Sequence, residues 1–335
     1  MQSVAFVARL PSTCPGTLVQ ASFEVRKDFD GSFAYPLVWW FPPDGRELLF
    51  TAGWEGDGEL RCWDAATGRV SLEFDVPGDN LIVHNGALAP LPGGRLVLAT
   101  SDPDGLHRWD VHTGQLLGRV SDTTMWQVAT TTPKSGRTVF AGAGIDGNLH
   151  WWDAATGEPV GTPWKCHHGY VMTVTGVTLP DGTPLLVTGG EDGTVCRWHA
   201  ESGKPVGEPL PVSPGGRVCV VAACGLPDGR VLLVAHDDKR ALFRWDAATG
   251  EPIGPPVPTG DWWPDTIAVV PVEGMPRVVV GCDDDTVRQW NALTGEQLTA
   301  TYPGMAVAVA ALPDGGALIA TGSRDGTLVL DRLTA

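Results

Sequence analysis

Three short runs in this chain carry side chains that could do chemistry. Cys166-His167-His168 groups a thiol and two imidazoles of the kind that hold zinc. Asp283-Asp284-Asp285 could bind a cation or supply a general acid and base. Asp-Gly pairs recur at Asp57, Asp104, Asp146, Asp192 and Asp325. Each run also has a structural reading. Adjacent ligands do not easily converge on one ion, and no partner pair has suitable spacing, so neither a metal nor a cofactor is expected. An acidic triplet in a turn is ordinarily a solvated surface, and Asp before Gly is first a turn former. Gly142-Ala143-Gly144 carries no phosphate-cradling or dinucleotide fingerprint, and Gly-x-Ser-x-Gly is absent.

Composition narrows the partners. The 335 residues carry a net charge of −16, which disfavours nucleic acid, because phosphate binding needs a Lys/Arg surface. No apolar run reaches the length of a membrane span. The seven cysteines, at 14, 62, 166, 196, 219, 224 and 282, show no Cys-x-x-Cys and read as small hydrophobes in a reducing cytoplasm. With 43 Gly and 28 Pro the chain must turn often, which argues against long helices. Fourteen Trp beside three Tyr is the feature to explain.

The elements that must position these residues come from a repeat. A phrase close to Asp-Gly-x-Leu-x-Arg-Trp-Asp-Ala-Ala-Thr-Gly recurs, with Trp63, Trp109, Trp152, Trp198, Trp245 and Trp290 spaced 46, 43, 46, 47 and 45 apart. A seventh copy, Arg324–Asp331, is read with Leu330 at the Trp position. Pro-Asp-Gly or an equivalent turn also occurs seven times, from Pro43–Gly45 to Pro313–Gly315. Each unit reads as four strands. The fourth, as in Glu158–Trp164, carries prolines four apart (Pro159/Pro163, Pro205/Pro209, Pro252/Pro256), which a strand tolerates only at an outer edge. Third strands are apolar on both faces, so each sheet is packed between two others and the sheets close into a ring. The last unit supplies three strands, and counting back from Gly45 selects Phe23–Lys27 as the fourth. The expectation is an all-β, seven-bladed β-propeller of four-stranded antiparallel blades. It forms one domain over 1–335, with 1–20 as an N-terminal extension or extra strand.

Trp63-Asp64, Trp109-Asp110, Trp152-Asp153 and Trp245-Asp246, with Trp198-His199 and Trp290-Asn291 as near matches, resemble the WD-repeat β-propeller family of bacterial type. The resemblance covers about residues 21–335. It implies a structural polar network in the fourth unit, drawn from His167 or His168, Thr188, Asp192 and Trp198. It also implies that the loops before the first strands and the second-to-third turns share one face around a central channel. On that face it places Tyr35, Trp54, His84, Trp126, Tyr170, Glu191, Asp237, Trp262, Trp263, Asp283, Met305 and Arg324. Aromatics within an acidic rim suit a basic or amphipathic segment of a protein; folded inward, the same Trp side chains would plug the channel instead. The leading expectation is a monomeric, cytoplasmic, non-catalytic scaffold for proteins or peptides. The alternative is a small-molecule binder or a cyclase or lyase in the central funnel, walled by Trp54, Trp126 and Trp263, with Asp283, Asp237, Glu191 or His84 as acid/base groups. A propeller cut from a larger signalling polypeptide is the third reading.

Overall fold

A computed structural model describes residues 23–25, 34–42, 44–53, 60–74, 76, 83–103, 105–226, 228–272, 275–312 and 314–333. They form seven four-stranded antiparallel sheets. The first strands are Ala34–Trp40, Asn85–Pro90, Met125–Thr131, Val171–Thr178, Val218–Gly225, Pro264–Val272 and Ala306–Ala311. Each touches the first strand of the next blade, and Ala306–Ala311 returns to Ala34–Trp40, so these strands form the innermost layer of a closed ring. Phe23–Val25 is the fourth strand of the seventh blade, with Phe23 opposite Leu330. It falls within the segment counted from the turn spacing. The first and last described strands thus meet in one sheet, and opening the ring between blades seven and one requires breaking that pairing.

The core consists of the seams between blades. Seven buried apolar clusters each draw mainly on two neighbouring sheets. This is why strands such as Val218–Gly225 are buried almost throughout rather than alternating. Each third-strand Trp enters the seam with the preceding blade: Trp109, for example, meets Phe74 edge-on at 6.1 Å. Where the second strand offers a Thr, the indole N–H is satisfied by it: Trp63 by Thr51 (2.8 Å), Trp109 by Thr100 (2.9 Å) and Trp198 by Thr188 (2.9 Å).

The residue before the Trp points to the opposite face, toward the next blade. In three blades it is a buried arginine. Arg108 donates to the carbonyls of Ala154 and Thr156, Arg197 to those of Ala247 and Ala248, and Arg244 to those of Ala292 and Leu293. The Ala-Ala-Thr-Gly turn is therefore an acceptor for its neighbour's guanidinium. Its glycine is required twice over: Gly157 and Gly250 have positive φ, and a Cβ on either would press on Arg108 or Arg197. In the third blade Trp151 holds this place, against Trp164 at 4.2 Å.

The Asp after the Trp caps the same turn. Asp64, Asp110, Asp153 and Asp246 each accept backbone N–H groups two or three residues on, and Asn291 does so from Leu293 and Thr294. Only one acceptor oxygen is needed, which explains why Asn can replace Asp there.

Two expectations are corrected. Leu330 does not occupy the Trp position: it packs in the seam with the first blade, on the side the arginines use elsewhere. Asp331 takes the Trp side, and its charge, after burial, helps raise the Tyr302 hydroxyl to about 12. Nor is Glu158–Trp164 one strand. In blades three to five the first proline makes an isolated bridge to the Trp (Trp152–Pro159, Trp198–Pro205, Trp245–Pro252). Only a two-residue strand then follows, at Trp164–Lys165, Leu210–Pro211 and Val257–Pro258. Blades one, two and six, without the proline pairs, keep outer strands of five to seven residues at Arg69–Glu73, Leu116–Ser121 and Gln297–Pro303. The prolines remove the N–H groups a continuous ladder would need.

Candidate functional site

The loops entering the first strands and the second-to-third turns lie at one end of the ring, because antiparallel pairing places them side by side. In blades four to six the two are locked by one motif. The residue immediately before the first strand exchanges a backbone bond with the turn, and an acidic turn side chain takes its N–H. Tyr170 N–H donates to Glu191 Oε2 (3.4 Å), Arg217 N–H to Asp238 Oδ1 (2.8 Å) and Trp263 N–H to Asp283 Oδ1 (2.9 Å). The reciprocal amides of Glu191, Asp238 and Asp283 donate to the carbonyls of Tyr170, Arg217 and Trp263. Glu191 and Asp283 therefore hold the rim in shape.

Not all of the side chains named from sequence are presented there. Tyr170 and Trp263 are exposed, at 44% and 39%. Arg324 is exposed and donates through Nη2 to the Asp283 carbonyl (2.9 Å), which ties blade seven to blade six. Trp126 is half-buried and stacks on His84, with ring centroids 5.3 Å apart. His84 itself is buried, which lowers its pKa, and bonds the Met125 carbonyl. Asp237 is fully buried: its carboxylate accepts the N–H groups of Ser213, Lys239 and Ala241, so it closes its own turn. Trp262 is also buried, between His236 and Trp290 and beneath the Arg288 guanidinium, because it fills the seam between blades five and six. Met305 is half-buried, and its carbonyl accepts from Thr266. Trp54, the Tyr35 side chain, Asp57 and Asp104 lie outside the described residues.

One rim position carries no sequence signature. In blades one, three, four, five and six the first strand carries a β-bulge near its start, where one residue has no partner across the sheet: Leu37, Trp126, Met172, Cys219 and Asp265. One residue further on, the inner ring is stitched together. Asn85, Gln127, Thr173 and Thr266 accept the N–H groups of Val128, Val174, Val221 and Val307 in the next blade. Asp265 is the acidic member of the bulge set. Its Oδ2 is buried with no hydrogen-bond partner among the described residues. Burial, reinforced by the charges of Asp283 and Asp285 against that of Arg324, raises its carboxyl to about 7. No motif marks Asp265 in the sequence, because it sits in Pro264-Asp265-Thr266, away from every repeat signature.

The runs first singled out for chemistry are structural. His167 bonds Asp192 (Nδ1···Oδ1 3.0 Å) and Thr188 (Nε2···Oγ1 2.8 Å), and Thr188 also receives the Trp198 indole N–H. The four residues form the network expected of the fourth unit. Burial opposes ionisation of Asp192, but bonds from His167, Thr194 and the His168 amide outweigh it and hold the carboxyl well below its usual range. Asp284 pairs with Arg288, and Asp285 accepts the Arg324 N–H. No cluster of three His, Cys, Asp or Glu side chains able to hold a metal occurs among the described residues. Burial raises the thiols of Cys62, Cys166 and Cys282 to about 12.

A cavity of about 350 Å³ opens at the other end of the ring, where the first strands finish. It is lined by Leu88, Thr130, Thr132, Val177, Cys224 and Pro271 among others, mostly apolar groups and hydroxyls. Trp126, Trp263, Asp283, Asp237, Glu191 and His84, the walls and acid/base groups proposed for a catalytic funnel, do not line it. This cavity and the titratable rim lie at opposite ends.

A protein-family model described as outer membrane protein assembly factor BamB matches residues 32–251, which run from the first blade into the fifth and make up about two thirds of the chain. No curated protein matches. The chain belongs to that family.

Proposed function

We propose that this member of the family is a non-catalytic scaffold that binds a protein or peptide at the rim end of its ring. One observation carries the reading. Of the five large apolar side chains exposed among the described residues, Ile145, Tyr170 and Trp263 lie at that end, and acidic turn side chains lock the loops that carry Tyr170 and Trp263. Exposed aromatics held on rigid elements lose little entropy on binding and are typical anchors of an interface. The surrounding acids and the net charge of −16 favour a basic or amphipathic segment. The family description names an assembly factor, a role in keeping with a binding module. The Asp192–His167–Thr188–Trp198 network and the Trp-Asp turns support the finer reading of the chain as a WD-repeat-type propeller.

Photo-crosslinking tests the proposal. Crosslinking residues at Tyr170 and Trp263 should capture a partner that the same residue at Asp181, on the opposite end, does not. Trp126→Ala combined with Trp263→Ala should abolish capture from the probe at Tyr170. Equal capture from both ends, or a double variant that binds unchanged, defeats it.

A further inference from the structure

Asp265 is buried in a way that folding alone does not explain. The residue is 9% exposed, and its Oδ2 meets no donor among the described residues. An unpaired buried carboxylate costs free energy, and native proteins ordinarily satisfy such groups or replace them. Nothing in the backbone demands an acid here, since the same bulge position holds Leu37, Trp126, Met172 and Cys219 in other blades. The bulge lies one residue from the rim end of an innermost strand, where Pro264 pairs with Cys282. Among the described residues, the charges acting on Asp265 are those of Asp283, Arg324 and Asp285 from the adjoining turns. Arg324 is engaged elsewhere, with Nη2 on the Asp283 carbonyl and its amide on Asp285 Oδ1. Trp263, two residues before Asp265, presents an exposed indole.

We propose that Asp265 is the anionic floor of a receptor for one cationic side chain of the bound partner, a lysine ammonium or an arginine guanidinium. The inference rests on the reading of the rim as a binding face and names the chemistry of its anchor. A cation supplies the donor that Oδ2 lacks, and the local excess of carboxylates favours its approach. Trp263, two residues away at the same strand end, adds an aromatic face. An organic cation fits better than a metal, because the described residues gather no set of three ligating side chains.

The test uses the full chain with n-butylammonium, n-butylguanidinium and neutral n-butanol as probes, followed by saturation-transfer NMR at pH 8. The cations should bind saturably and butanol should not. Asp265→Asn should weaken the cations by at least about tenfold, the loss of roughly one charge-assisted bond. Asp228→Asn, at the opposite end and paired with Arg230, should leave them unchanged. If Asp265→Asn fails to fold, wild type suffices: the probes stay charged between pH 8 and pH 5, so their affinity should fall as the acceptor protonates, with Asp283, Asp285 and Arg324 as the other charged groups near it among the described residues. Equal binding by wild type and Asp265→Asn, no saturable binding, or a pH-independent affinity overturns the proposal. Its failure is separable from that of the scaffold reading. Rim crosslinking that persists in Asp265→Asn sinks the anchor alone, and probe binding without rim crosslinking sinks the scaffold alone.

Discussion

Replacing Asp265 with Asn should change the pH dependence of stability by an amount the structure specifies. The carboxyl titrates at about 7 in the folded protein against 3.8 as its ordinary value, chiefly because burial penalises the charge. Between these two values the folded state holds a proton that the unfolded state has released, so stability falls as pH rises through the interval. The stabilisation is full below about pH 4 and gone above about pH 7. Three units at 1.36 kcal/mol each give about 4 kcal/mol, an upper bound because the fold can relax around the ionised group. Asn cannot ionise, so Asp265→Asn should gain on wild type by up to about 4 kcal/mol between pH 4 and pH 8. The cost of burying an amide is the same at every pH and cancels in this difference. Urea unfolding of both proteins at pH 4, 5, 6, 7 and 8 measures it, with unchanged m-values as the check on a common unfolding reaction. Parallel stability profiles would refute the reasoning, because they would mean that Asp265 is hydrated or paired in the folded protein.

Three further outcomes follow from the same physics. Arg197→Ala should destabilise by about 2–4 kcal/mol in urea unfolding, because it leaves the carbonyls of Ala247 and Ala248 without their charged donor and opens a seam between blades. Asp192→Asn should cost stability at pH 7 and progressively less as pH falls below the ordinary carboxyl value of 3.8, since a depressed carboxyl stabilises above its unfolded pKa and loses that contribution on acidification; a cost that persists unchanged at pH 2 in denaturant melts would contradict this. Asn291→Asp should shift stability by less than about 0.5 kcal/mol, as the turn needs only one acceptor oxygen, and a larger shift in the unfolding midpoint would show that the cap depends on charge.

Much of the architecture is legible in the residues alone. Two markers with one period count seven blades, and strand counting selects Phe23–Lys27, which contains the closing strand Phe23–Val25. The His167–Asp192 pairing with Thr188 and Trp198 follows from family resemblance and stands in the structure. Local chemistry settles these features: Gly turns, Asx caps and apolar strands act over a few residues and repeat. The rim residues are harder to read, because side-chain direction in a strand has a period of two and one extra residue inverts it. The bulges at Leu37, Trp126, Met172, Cys219 and Asp265 add that residue in five blades and not in the others. Counting back from Pro-Asp-Gly therefore reaches Tyr170 and Trp263 in some blades but His84 and Met305 in others, which are not equivalent positions. The same limit hid Asp265.

What only the tertiary structure decided is which side chains meet across blades and which are left without partners. Arg108, Arg197 and Arg244 look like ordinary strand residues until the neighbouring turn closes over them. Asp237 and Trp262 look like rim residues until their own turn and seam bury them. The cavity lies at the end opposite the titratable rim because the inner strands finish there, a consequence of how seven sheets converge on one axis. The sequence by itself determined the repeating unit, its number and the order of its strands, because each is encoded within about 45 residues. The binding chemistry of the ring depends on contacts between units, and those exist only once the ring has closed.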